Sequence, residues 1–93
     1  MLPIVWRASA KADLAGIIAY IARDNPAAAR RMRRLLSDAV LPASEHPYLY
    51  QQSSRIAGTR EIVVTRNYVV FYQTTTTAVE VVAVAHAARQ FPL

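Results

Sequence analysis

Gly58-Thr59-Arg60-Glu61-Ile62-Val63-Val64, then Asn67-Tyr68-Val69-Val70-Phe71-Tyr72, then Val84-Ala85-His86-Ala87-Ala88-Arg89-Gln90-Phe91-Pro92: these runs decide the fold. Glu61–Thr65, Tyr68–Gln73 and Val79–Ala85 are dense in Val, Ile, Tyr and Phe, the residue types that fit a pleated, half-buried surface, so three successive strands are predicted. Arg66-Asn67 reads as a tight hairpin joint in which Asn accepts positive φ, and Thr74–Thr77 as the next connection. Val69-Val70-Phe71 and Val81-Val82-Ala83-Val84 are apolar on both faces, which places their strands in the middle of a sheet. The face away from the helices is then to be covered by N-terminal side chains, by the tail Phe91-Pro92-Leu93, or by a partner. The last strand delivers His86 and Arg89 just past its end.

Upstream the period changes. Leu14, Ile17, Ile18 and Ile21 recur at i, i+3, i+4 and i+7, the stripe of an amphipathic helix, with Ser9 as its N-cap. Ala29, Met32, Leu35, Leu36, Ala39 and Val40 repeat the stripe. Between the two, Asp24-Asn25-Pro26 supplies a cap and a first-turn proline. So short a joint predicts an antiparallel helical hairpin, with Tyr20 in the helix–sheet packing. Pro42 ends or kinks the second helix, and His46–Ser54 reads as a loop. Ile4-Val5-Trp6-Arg7 is a short first strand. The fold class is α+β in the order β-α-α-β-β-β, a helical hairpin on a small, mostly antiparallel sheet, in one domain over residues 1–93.

A chain of 93 residues, 54% apolar and with 2 glycines, has the means for one packed core. The absence of cysteine excludes disulfides and thiolate metal sites. The N-terminal apolar run is too short for a signal peptide and no stretch suits a bilayer, so a cytoplasmic protein without membrane association is expected. Eleven Lys and Arg against six Asp and Glu give a net charge of +5. Such a surface favours an acidic protein or a polyanion such as RNA.

His86 suits proton exchange near neutral pH, and Arg89 can grip a carboxylate or phosphate with two parallel donors. The plainer use of the pair is a strand cap and a local ion pair. Arg60 opens the second strand and could face the same concave surface as Arg89; with Glu61 it could equally be an exposed strand end. Arg55 and Arg66 read as solvated. Arg30, Arg31, Arg33 and Arg34 form the densest charge cluster, either a solvated helix face or a docking strip for an acidic segment. Tyr68 and Tyr72 share one strand face and read as packing residues, while Tyr48 and Tyr50 in the loop are freer to stack on a base. Two distant histidines without an acidic cluster give no metal site, and no phosphate-binding loop or other cofactor motif occurs.

With its helical hairpin, the run from Gly58 to Pro92 resembles the toxins of bacterial type II toxin–antitoxin modules, the RelE/ParE superfamily, over nearly the whole chain. The resemblance implies a growth inhibitor, often tied to plasmid stabilization, that a cognate antitoxin neutralises by wrapping it in a hetero-oligomer. Arg30, Arg33, Arg34, Arg60, His86, Arg89 and Phe91 are the expected partner-facing residues. Two activities divide the superfamily. RelE-like members cut mRNA on the ribosome with basic side chains on the sheet, whereas ParE-like members poison DNA gyrase. RelE-type nucleases typically carry an arginine just after the residue that starts a Tyr-Arg-x-x-Tyr-like run. Here the run is Tyr68-Val69-Val70-Phe71-Tyr72, and Lys11 is the chain's single lysine. His86, Arg89 and Arg60 are the catalytic candidates if the chain is a metal-independent endoribonuclease. The valine and the Val-Ala-His-x-x-Arg tail favour the ParE-like reading. A family member that binds an antitoxin and inhibits nothing is the third alternative.

Overall fold

The computed structural model describes residues 1–89; Phe91, proposed above as partner-facing, lies outside them. The elements are β1 (Ile4–Trp6), α1 (Ala8–Ala22), α2 (Pro26–Asp38), a 3₁₀ turn (Leu41–Ser44), β2 (Arg60–Val63), β3 (Tyr68–Thr74) and β4 (Val79–His86). They form one four-stranded sheet in the order β1-β4-β3-β2, with β1 parallel to β4 and the other pairs antiparallel. The two strands apolar on both faces, β3 and β4, are the central ones, as the sequence predicts.

Helices α1 and α2 lie on one face. Their core holds Leu14, Leu36, Val40, Ile62, Val70, Tyr72, Val79, Val81 and Val84, with Ile17, Ile18 and Met32 packed against it. On the opposite face Val69, Phe71, Ala83 and Ala85 are buried, with Ile56 of the loop before β2 packed on them. A register shift at Phe71/Tyr72 lets one extra residue into β4. That is why Val81 and Val84, three apart, both point at the helices, and why His86 follows Val84 onto that face.

The hairpin joint is built as the sequence suggests. Asn25 Oδ1 accepts from the Ala28 N–H at 3.0 Å, with Pro26 opening the helix. Several expectations are corrected. The N-cap of α1 is Arg7, because β1 runs straight into the helix; Ser9 lies inside α1, and its hydroxyl donates to the Val82 carbonyl at 2.9 Å. Leu35 is 48% exposed, since its side of α2 overhangs the short edge strand β2 and no further strand among the described residues covers it. Tyr20 is 67% exposed and not in the helix–sheet packing. Asn67 does not use positive φ; the β2–β3 turn is held by Thr65 Oγ1, which accepts from the N–H groups of Asn67 and Tyr68. Finally, β2 starts at Arg60 and stops at Val63, while β4 extends to His86, which is the last residue of the strand and not one beyond it.

Candidate functional site

The C-terminal end of β4 meets the middle of α1 in a groove of about 600 Å³ that contains both His86 and Arg89. Parallel pairing with β1 stops at Trp6↔Val81, so the outer edge of β4 beyond Val81 needs other partners. Helix α1 supplies them. Ser9 and Asp13, one turn apart, face this edge: Ser9 takes the Val82 carbonyl, and Asp13 Oδ2 accepts the Val84 N–H at 3.0 Å. The latch holds the groove's two walls together, and Asp13 itself forms part of the lining.

His86 stands opposite Tyr68 on the helix-facing side, with the rings edge-on at 5.5 Å between centroids. Its Nδ1 accepts from the Ala88 N–H at 3.1 Å, and its carbonyl accepts from the Arg89 N–H at 3.0 Å. This one turn fixes the imidazole and swings Arg89 back beside it. An Nδ1 that accepts leaves Nε2 as the neutral ring's donor, pointing away from the turn. Tyr20, Ile17 and Gly16 form the far wall on α1, and a Cβ added at Gly16 would meet nothing within 4 Å. The groove therefore presents a fixed imidazole, an exposed guanidinium and an exposed phenol around an apolar floor. It suits recognition of a protein surface with an aromatic or aliphatic anchor and a carboxylate.

Arg60 is elsewhere. It pairs with Tyr72, whereas His86 pairs with Tyr68, which puts the two four residues apart along β3, about 13 Å. The expectation that Arg60 shares a surface with Arg89 is thereby overturned: antiparallel pairing sends the start of β2 and the end of β4 to opposite ends of the sheet. Arg60 Nη1 donates to the Tyr50 carbonyl at 2.7 Å, and its guanidinium carbon lies 5.1 Å from the Tyr48 ring centre. Beneath it Tyr72 is fully buried, its hydroxyl donating to the Pro47 carbonyl at 2.6 Å and its ring edge-on to Tyr50. Burial raises the Tyr72 pKa above the usual tyrosine value, with Arg60 acting in the opposite direction. These contacts fasten the Pro47–Gln52 segment over the sheet, so Tyr50 is not the free base-stacking side chain the sequence suggests. A polar pocket of about 280 Å³ lies beside Arg60, bordered by Tyr48, Gln52, Gln73 and Thr74.

Arg55, expected to be solvated, is half-buried with Nε 3.7 Å from Glu61. Arg30, Arg31, Arg33 and Arg34 are all exposed on α2; Arg33 borders a shallow groove toward β1, away from the β4 end. Sequence reasoning missed Asp13 and the part played by Tyr20. The signal available was the i, i+4 polar pair Ser9 and Asp13 beside an otherwise apolar stripe, which marks a helix side that meets a polar edge and not open solvent.

No helix among the described residues is long and apolar enough to cross a membrane. No curated protein sequence matches the chain significantly. Among solved structures, one described as a chromosomal ParDE TA system from P. aeruginosa superposes with a TM-score of 0.81, covering 92% of this chain and 96% of that one at 17% identity. That likeness extends to the fold. Residues 4–91 match the profile of the family described as the ParE toxin of the type II toxin-antitoxin system, parDE. On the strength of that match over nearly its whole length, this chain belongs to the ParE toxin family.

Proposed function

We propose that the chain is a growth-inhibiting toxin, neutralised by a cognate antitoxin, that acts on DNA gyrase through the groove of His86 and Arg89 and not by cutting RNA. The observation that carries this reading is the scatter of the basic groups. Metal-independent RNA cleavage needs a base for the 2′-hydroxyl and cations for the developing phosphate charge within one bond's reach of each other. Arg60 is instead tied to the Tyr50 carbonyl at the far end of the sheet, and His86 has Arg89 as its basic neighbour. Val69, at the position where RelE-like nucleases carry arginine, is 1% exposed on the face away from the helices. A groove with one arginine, one imidazole and apolar walls fits protein recognition better.

The test is a pair of assays on one preparation. The purified protein is expected to inhibit gyrase supercoiling or to accumulate cleaved DNA, and Arg89→Ala to weaken that effect at least tenfold. In a translating extract it should leave mRNA intact. Codon-positioned mRNA cuts that vanish with His86→Ala, with gyrase unaffected, would establish the ribosome-dependent alternative instead.

A further inference from the structure

Arg60 is half-buried, and the groups that hold it are neutral. Its Nη1 is on the Tyr50 carbonyl, and its guanidinium carbon lies over the Tyr48 ring. The next residue, Glu61, does not serve it: that carboxylate accepts from Ser53 Oγ at 2.5 Å and lies 3.7 Å from Arg55 Nε. The ion pairs among the described residues are Arg7–Glu80 and Arg55–Glu61, so Arg60 has no carboxylate partner there. A cation drawn partly out of water is ordinarily met by an anion. The cavity of about 280 Å³ beside Arg60 has no acidic residue in its lining. It is lined instead by hydroxyls and by the amides of Gln52 and Gln73, neither of which has a side-chain hydrogen bond among the described residues.

We infer that this cavity binds the phosphate head of a small polar phosphoester, with Arg60 as the anchor. Arg60 Nε and Nη2 have no partner among the described residues and can donate to an oxyanion. The Tyr50 carbonyl and the Tyr48 ring fix the guanidinium before a ligand arrives, so little side-chain freedom is lost on binding. Oxygen count selects phosphate over carboxylate. A carboxylate spends both oxygens on the guanidinium, whereas a phosphate has further oxygens for the amide N–H groups of Gln52 and Gln73. A lining without carboxylates leaves a field of one sign, and the net charge of +5 reinforces it. Size and polarity set the rest of the ligand. Pockets for apolar, drug-sized molecules run from about 300 to 1,000 Å³ with mostly apolar walls. This cavity lies at the lower limit with polar walls, which suits a body of a few carbons bearing hydroxyls. No histidine or carboxylate lines it, so the ester is held and not hydrolysed. The assignment does not rest on the toxin reading, because the groove of His86 lies at the opposite end of the sheet.

The experiment titrates the purified full chain with inorganic phosphate and with glycerol 3-phosphate, against sodium chloride at equal ionic strength. Backbone amide resonances and the Arg60 Nε–H report the site. Both phosphates should shift Thr59, Arg60 and Gln73 saturably, chloride should not, and the ester should bind at least threefold tighter than the free ion. Arg60→Gln should weaken binding about tenfold or more, the loss of a charge-assisted bond. Because that variant also loosens the Tyr50 contact, Gln52→Glu is the second arm. It sets a carboxylate in the lining from an exposed position, so it should abolish phosphate binding and melt no lower than the wild type. Shifts that chloride reproduces, or that centre on Arg30, Arg31, Arg33 and Arg34, would assign the effect to general screening of a basic surface and overturn the site. Undiminished binding by Gln52→Glu would overturn it as well. Equal affinity for the free ion and the ester would remove the phosphoester assignment.

Discussion

Asp13→Ala tests how α1 is fixed to the sheet, and with it the shape of the groove. The substitution removes the acceptor of the Val84 N–H, and Val84 is 2% exposed, so water does not readily replace it. A hydrogen bond to a charged acceptor contributes about 1.5–3 kcal/mol when well buried. Asp13 is half-exposed, which discounts the figure, and a loss of about 1–2 kcal/mol is expected. In a domain of this size each kcal/mol moves Tm by roughly 4–8 °C, so the melt should fall by about 5–15 °C. Asp13→Asn keeps an oxygen acceptor and should lose about half as much stability. Ser9→Ala, which breaks a neutral and more exposed bond, belongs at the low end, about 0.5 kcal/mol. Because both side chains hold the same stretch of β4, the double variant should lose less than the sum of the two. Urea melts give the energies, and amide exchange at Val84 reports the latch directly. If Asp13→Ala loses less than about 0.5 kcal/mol, the ordinary scatter of surface substitutions, and Val84 stays protected, the latch is not what holds the wall.

Three further outcomes follow from the packing. Leu36→Ala, at a fully buried position between α2 and the sheet, should cost about 2–5 kcal/mol in a denaturant melt. Ile18→Ala should cost less, because that side chain is only half-buried against the core. Asn25→Ala should cost about 1 kcal/mol by opening the cap of α2; an unchanged melt would show that Pro26 alone starts the helix. The raised Tyr72 pKa means that the folded state holds the phenol's proton more tightly than the unfolded chain does. Its contribution is therefore complete below the usual tyrosine pKa of about 10 and is lost as pH rises through the folded value. Tyr72→Phe should flatten this alkaline loss while removing about 1 kcal/mol at neutral pH with the Pro47 bond; an alkaline limb unaltered in the phenylalanine variant would assign the loss to other groups.

Element identity was written locally. The i, i+3, i+4 stripe at Leu14, Ile17, Ile18 and Ile21, the Asn25-Pro26 start signal, and the Val-rich runs each reflect forces acting within a few residues, so the order β-α-α-β-β-β and the central place of β3 and β4 could be read directly. Burial limits were less legible. Leu35 belongs to its stripe by spacing, yet it is exposed because β2 is only four residues long and is the last strand on that side among the described residues. Tyr20 followed the same helix period and emerged on the rim of a groove.

His86 and Arg89 could be chosen from the sequence because they are near each other in it and end a strand. Whether Arg60 joins them is a question of register and pairing direction, set by contacts between residues far apart in the chain, and no local pattern encodes it. Asp13 makes the same point: its role depends on β1 stopping at Trp6 and baring the edge of β4, residues seventy positions away. Sequence alone determined which segments are helix and strand and that the surface is basic, because propensity, periodicity and charge are properties of the local chain. Only the tertiary structure decided which polar groups share a groove and which strand edge side chains must meet, because those depend on how strands of unequal length align, and such an edge exists only once the sheet has formed.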